Sequence, residues 1–373
     1  MADNDTELMI PQGDLRAQVA KHGLAAWDAS DAALRHALSQ RLTVAFLGSA
    51  SAGKDSAIRA LFGFDFGDIS PIPGSTDRLR AAPLDPEGRI LLVNAPGFGD
   101  IRDDVDAIGR KALDSLDIVV YVLNAEGGAT IDEKKDLERI RARGRPVLVC
   151  LNKIDLIRPR DREPFVAATL EQLGVDRKDA VVCAFDPLPQ LSEEPIGVEA
   201  VVAWISHQLQ SAGKDLLFAK HLRNKAAACE PIIQAAARNA SMAGAVPIPG
   251  ADLAAVTALQ VKLIRDVAEV FGAPVDREVA IFIIGEVLSG SMRGFVRWGV
   301  NGLKAAGWIP GTQIAEAAIL ALSAMIAGAT TYGVGKAAVT FFQSGRKADG
   351  NALREAFDAA AWEYKKRRES GGA

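Results

Sequence analysis

The residues that could do chemistry begin with GSASAGKDS at 48–56. Gly48 and Gly53 free the backbone to wrap a phosphate, turning the N–H groups around Ser51 and Ala52 inward. A helix opening at this loop adds the positive end of its dipole, and Lys54 reaches the terminal phosphates. The pattern G-x-x-x-x-G-K ordinarily continues with Ser or Thr, whose hydroxyl holds a magnesium ion. Here that place is Asp55, with Ser56 one position late. A bare carboxylate ~5 Å from a phosphate charge costs roughly 3 kcal/mol at an effective dielectric of about 20. A hard divalent cation between them reverses the sign. The second group is NKID, Asn152–Asp155. A carboxylate at Asp155 accepts two hydrogen bonds from the N–H groups of guanine, a pair that adenine lacks. Asn152 can tie this loop to the phosphate loop, and the Lys153 stem can cover the base. A backbone N–H at Cys183-Ala184 would meet the guanine carbonyl oxygen, while the Cys183 side chain reads equally well as a small buried residue.

These loops need a scaffold, and the hydrophobic pattern supplies one. Short apolar runs at 42–48, 90–94, 117–123, 146–152 and 180–185 read as buried strands. Helix-length segments near 53–62, 102–115, 131–142, 161–173 and 197–210 alternate with most of them, which predicts a mostly parallel sheet covered on both faces. RLRAAPL, the turn DPEG and RILLVN (78–94) predict one antiparallel pair at the sheet edge. Residues 14–39 predict a helix. After 212 the strand signal ends, and helices rich in Ala, Gly and Val follow. In 251–272, Val256, Leu259, Leu263, Val267 and Val270 share a face, with Lys262, Arg265, Asp266 and Glu269 opposite, as in an amphipathic helix. VPIPGADLAAV (246–256) and GWIPGTQIAEA (307–317) look alike, a weak sign of a helical hairpin used twice. The expected layout is an N-terminal helical segment (1–40), a nucleotide-binding domain (41–211) and a helical domain (212–373).

Two further segments complete a family pattern. VNAPGFGD (93–100) resembles the D-x-x-G turn of GTPases, with Gly97 in place to sense a γ-phosphate and Asn94 where an Asp usually holds the metal's water shell. Thr76, in SPIPGSTDRLR, sits where a switch threonine closes on magnesium; Ser75 is an alternative, as is a plain loop residue. Together with GSASAGKDS, NKID and Cys183-Ala184, these resemble the nucleotide motifs of the Era-like branch of translation-factor-related GTPases. The tail resembles the helical C-terminal domain of uncharacterised function found behind many bacterial Era-like GTPases. The layout is also similar to that of immunity-related GTPases. The resemblance implies an α/β fold, a P-loop GTPase domain followed by an all-α domain that the N-terminal helix joins. It implies GTP and GDP as ligands, Mg2+ as cofactor, and switch segments at 64–80 and 94–105. Asp55 and Asn94 depart from the family as a matched exchange, the carboxylate moving from one position to the other. The expectation is that Asp55 ligates the ion directly, Thr76 closes on it and Asn94 acts through water; the rival is a degenerate site. Phe98 stands where some GTPases place a Gln that orients water, so slow hydrolysis, completed by a partner or a second copy, is implied. Arg78 and Arg80 are candidate donors, or solvated charges on an edge strand. A scaffold without turnover is the alternative function.

The 373 residues, half apolar and a quarter charged, suit folded domains. A net charge of −4 gives no overall basic field, so no DNA partner is expected. Cys150, Cys183 and Cys229 have no metal-ligand spacing and read as reduced thiols. The acidic, polar N-terminus does not read as a secretory signal, which suggests a cytoplasmic protein. Two features leave the inner membrane open, peripherally or by insertion. Lys365–Arg368 is either a solvated helix end or a contact for anionic lipid. The charge-free stretch 317–334 reads as a buried helix or a membrane-inserting hairpin.

Overall fold

The computed structural model describes residues 12–66, 79–95, 115–245, 251–288 and 313–370. Thr76, Arg78, Gly97, Phe98, most of both switch segments, the helix expected at 102–115 and the two Ile-Pro-Gly turns lie outside them. The chain divides into two compact units, Ala37–Ala228 and Met1–His36 with Cys229–Ala373.

The first unit is built on six strands: β1 (Leu42–Leu47), β2 (Arg80–Pro83), β3 (Ile90–Asn94), β4 (Ile118–Asn124), β5 (Val147–Asn152) and β6 (Ala180–Val182). They form one sheet in the order β2-β3-β1-β4-β5-β6. Only β2 runs antiparallel, pairing with β3 at the edge. The central strands are apolar on both faces because both are covered; β1 and β5 are buried at every position. Helices α2 (Lys54–Phe62), α3 (Ile131–Arg141), α4 (Pro159–Leu173) and α5 (Val198–Gln210) lie between or after the strands. A short helix α6 (Asp215–His221) closes this unit through an aromatic run. Phe218 meets Phe62 edge-on at 5.9 Å, and Phe62 meets Phe46 of β1 at 6.3 Å. Strand β6 is shorter than its apolar run: Cys183 N–H still donates to Leu151 O of β5, but Ala184 pairs with Ile196 instead.

The other unit is all helix: α1 (Gln12–Ser39), which continues to the junction with the sheet unit, then α7 (Lys225–Gly244), whose first residues belong to the sheet unit, α8 (Ala251–Phe271), α9 at 277–288, α10 (Gln313–Gln343) and α11 (Gly350–Glu369). Helix α1 packs here. The Arg265 guanidinium of α8 donates to Trp27 O (2.7 Å), Ser30 Oγ (2.6 Å) and Asp31 Oδ1 (2.8 Å), and lies 4.2 Å from the Trp27 ring centroid. This corrects the amphipathic reading of α8: Arg265 and Asp266 are each 5 % exposed. Arg265 is satisfied by α1 instead of water, and Asp266 pairs along its own helix with Lys262, which stays exposed. The stretch 317–334 falls in α10, where Ala329, Thr330, Thr331, Tyr332 and Val334 are buried. Its small residues let helices close up; a Cβ on Gly333 would stand 2.6 Å from the Phe357 ring. Among the described residues no helix is long and apolar enough to cross a membrane.

Candidate functional site

The glycine loop leaves β1 at Gly48 and ends at the first turn of α2. Three residues take positive φ: Gly48 (140°), Ser51 (60°) and Gly53 (95°). Two of these are glycine for a second reason. A Cβ on Gly48 would stand 2.1 Å from Val122 O, and one on Gly53 2.2 Å from Asn152 Nδ2. The loop therefore lies directly on the ends of β4 and β5. Lys54 is buried and folds back over the loop, its Nζ donating to Gly48 O (2.9 Å) and Ser49 O (3.0 Å). Burial pushes its pKa down to about 8, partly opposed by the Asp55 charge. A cation held there in low dielectric gains strongly from an arriving phosphate.

Asn152, at the end of β5, is the hinge between the two recognition loops. Its Nδ2 donates to Ala52 O (2.8 Å) and its Oδ1 accepts from Phe185 N–H (3.0 Å), both buried. Lys153 takes a left-handed conformation (φ 65°), which turns the chain so that Asp155 follows within the same loop. Asp155 is 9 % exposed, and its Oδ2 accepts from Leu188 N–H (3.2 Å). Cys183 and Ala184 lie beside them, and their N–H groups are engaged within the protein. Cys183 N–H donates to Leu151 O (2.9 Å) and Ala184 N–H to Ile196 O (3.0 Å). A base carbonyl at the expected position would compete with Ile196 for the second. The Cys183 thiol is wholly buried; burial and the adjacent Cys150 thiol raise its pKa, so its side chain serves packing.

Asp55 and Asn94 come together across α2 and β3. Asn94 Nδ2 donates to Asp55 Oδ1 at 2.7 Å. Asn94 is fully buried, and its Oδ1 has no hydrogen-bond partner among the described residues. Ser56 lies on the next position of α2, at the wall of a cavity of about 280 Å³ between α2 and the segment after β6, lined also by Ala60, Phe185 and Pro187. Arg80 stands on the edge strand, exposed, in register with Asn94. Among the described residues no cluster of three or more His, Cys, Asp or Glu side chains is arranged for a metal.

Three participants were not read from the sequence. Phe185 and Leu188 act through backbone N–H groups, which leave no compositional trace. Glu133 does have a signal, the T-x-x-E capping box at the start of α3. Its second role, accepting from Ser49 Oγ at 3.1 Å, depends on tertiary contact.

A six-stranded sheet with a glycine loop after its first strand and an Asn-Lys-x-Asp turn after its fifth defines a P-loop protein of the guanine-nucleotide class. Residues 43–153 match the model of the 50S ribosome-binding GTPase family, and residues 208–362 match Domain of unknown function (DUF697). The segment 43–153 is thus a GTP-binding domain homologous to those of MnmE and Era, followed by a helical domain of unknown function. The tRNA modification GTPase MnmE of Burkholderia cenocepacia (strain HI2424) is 33 % identical over 147 residues, 38 % of this chain and 30 % of that protein. GTPase Era of Borreliella burgdorferi (strain ZS7) is 27 % identical over 142 residues, 37 % of this chain and 48 % of its own length. The chain thus spans less than half the length of these relatives. Among solved structures, a probable GTP-binding protein engB is 17 % identical, with a TM-score of 0.32, covering 45 % of this chain and 99 % of that one.

Proposed function

We propose that this protein is a guanine-nucleotide switch with slow GTP hydrolysis, whose nucleotide state is passed to the helical unit. One observation carries the reading: a single side chain, Asn152, bonds the phosphate loop at Ala52 and the base loop at Phe185. Phosphate and base recognition are therefore held in one frame. In this reading the loop amides from Gly48 to Asp55 and the α2 N-terminus receive the phosphates. Lys54 exchanges its bonds to Gly48 O and Ser49 O for phosphate oxygens. Asp155, oriented by Leu188 N–H, accepts from both guanine N–H groups, and the Lys153 stem covers the ring.

Magnesium fits the residues present. A carboxylate at Asp55 and a buried, unpartnered amide oxygen at Asn94 make an oxygen-rich corner next to the phosphate loop. One or two carboxylates plus substrate phosphates are what magnesium usually takes from a protein. Asp55 would hold the ion, with Thr76 closing on it and Asn94 acting through a water. When bound, such an ion neutralises charge on the transferring phosphoryl group. The protein's own residues bind, orient and shield; Phe98 has no group to orient water. Arg80, Arg78 and a second copy paired across the phosphate face remain the sources of a missing donor. The site of action proposed is the cytoplasm, with the exposed Lys366–Arg368 as the element able to meet the inner membrane surface; Lys365 of that cluster is buried over the Trp362 ring and is not part of it.

A second reading keeps the nucleotide and drops the turnover. The specific observation behind it is the pair of departures at Asp55 and Asn94, which would then mark a scaffold. Calorimetry with GTP, GDP and ATP in magnesium tests the first reading. GDP and GTP should bind at least 10-fold tighter than ATP. Multiple-turnover phosphate release then separates switch from scaffold: an inactive parent activated by Asp55→Ser with Asn94→Asp favours the scaffold.

A further inference from the structure

Asp55 occupies the place where an incoming phosphate is most strongly attracted. It lies in the first turn of α2, beside the loop amides and the positive helix end. Its carboxylate is bonded by a neutral amide, Asn94 Nδ2, at 2.7 Å. The nearby cation, Lys54, spends its Nζ on Gly48 O and Ser49 O. A polyphosphate entering alone would meet a negative charge at the mouth of its own binding loop. At a separation of ~5 Å and an effective dielectric of about 20, that repulsion lowers affinity on the order of 10²-fold. A hydroxyl at this position would carry no such penalty.

We infer that Asp55 gates the loop against metal-free nucleotide, so that guanine nucleotide enters as its divalent-metal complex and metal and nucleotide bind with strong positive coupling. The inference rests on the nucleotide reading above. Coupling of this kind is reciprocal: whatever factor the metal adds to nucleotide affinity, the nucleotide adds to metal affinity. Asn94 completes the gate by holding the carboxylate through Nδ2, with its own buried oxygen left to accept a hydrogen bond from a metal-bound water.

The test uses the full chain and GDP affinity by calorimetry, in magnesium and in EDTA, for the parent, Asp55→Asn and Asp55→Ser. Asp55→Asn keeps an oxygen to accept from Asn94, so the site's shape is preserved while its charge is lost. The parent is expected to lose on the order of 10²-fold in GDP affinity in EDTA. Both variants should bind GDP in EDTA more tightly than the parent by a similar factor; the magnesium dependence of Asp55→Asn should collapse to a few-fold, while Asp55→Ser, whose hydroxyl can itself hold the ion, keeps a dependence of its own. A phosphate-loop substitution that strengthens metal-free binding is not the outcome of simple damage. Equal parent affinity in magnesium and EDTA overturns the gate and leaves the guanine reading intact. Variants no tighter than the parent in EDTA overturn it as well. Failure of the parent and both variants to bind GDP under either condition overturns the gate and the guanine reading together.

Discussion

At the scale of single residues, charge placement decides what the site tolerates. Asn94→Asp would set a second carboxylate against Asp55, where the amide now donates at 2.7 Å. Like charges this close and half-buried raise one pKa and strain the fold; a loss of roughly 2 kcal/mol is expected. Adding Asp55→Ser to it should restore most of that loss. Urea unfolding of the two singles and the double gives the coupling energy, and an Asn94→Asp chain as stable as the parent would show that the pair carries no weight. Lys54 makes a pH prediction. Its folded pKa is about 8 against an ordinary 10.5, because burial disfavours the charge. Above pH 8 the empty site loses its proton, and phosphate binding must restore it. GDP affinity therefore falls with rising pH from about 8, by at most tenfold per unit. Stability of the empty chain moves the other way. Below pH 8 folded and unfolded chains both hold the proton; from 8 to 10.5 the unfolded chain holds more, so stability rises through that window. Lys54→Arg stays protonated and should abolish the affinity slope; persistence of the slope would assign it to another group.

At the scale of elements, the site depends on loops pressed onto strand ends. Gly53→Ala forces a Cβ to 2.2 Å from Asn152 Nδ2 at a φ of 95°. The backbone penalty and the broken Asn152–Ala52 bond together should remove roughly 2–3 kcal/mol of stability. GDP affinity should fall with it. Gly88→Ala is the control: its φ is 61° and its Cβ would meet nothing within 4 Å. If the two substitutions cost the same, contact between the loops is not what Gly53 protects. The strand runs around 42–48 and 146–152 and the glycine loop were legible because apolar runs and turn residues are local signals. The edge pairing of β2 with β3 was legible for the same reason, with DPEG as the turn. The commitment of Ala184 N–H to Ile196 O was not, since a backbone bond to a residue in the following loop leaves no mark on either side chain. The burial of Arg265 was hidden too: its spacing on α8 is that of a solvated charge, and only the arrival of α1 makes it an anchor.

At the scale of the whole molecule, the chain's first helix belongs to its last domain. Helix α1 precedes the sheet unit in sequence yet packs with the C-terminal helices, so the sheet unit is inserted between two parts of one helical body. Loop-closure cost for such an insertion grows only logarithmically with its length, and α1 must be held by contacts strong enough to meet it. Arg265 supplies them: it is 6 % exposed at the side chain, bonds three groups of α1 and stacks on Trp27. It also holds the Asp31 carboxyl below its ordinary range, chiefly through their hydrogen bond. Arg265→Ala removes every one of these bonds at once and leaves Trp27 O and Ser30 Oγ with the bond that Ser30 Oγ donates to Trp27 O (2.8 Å). A loss of about 3 kcal/mol from the helical unit is expected, concentrated at α1 because the sheet unit has its own core. Hydrogen exchange should show faster exchange of the α1 amides across 17–39, while β1, β4 and β5 keep their protection. GDP affinity should stay within about twofold of the parent, because none of the broken bonds touches the Asn152 frame. Unchanged protection of α1 would mean that apolar packing, through Val19 and Ala26, holds the helix without the guanidinium. A large change in GDP affinity would instead place this particular anchor on the route by which nucleotide state reaches the helical unit.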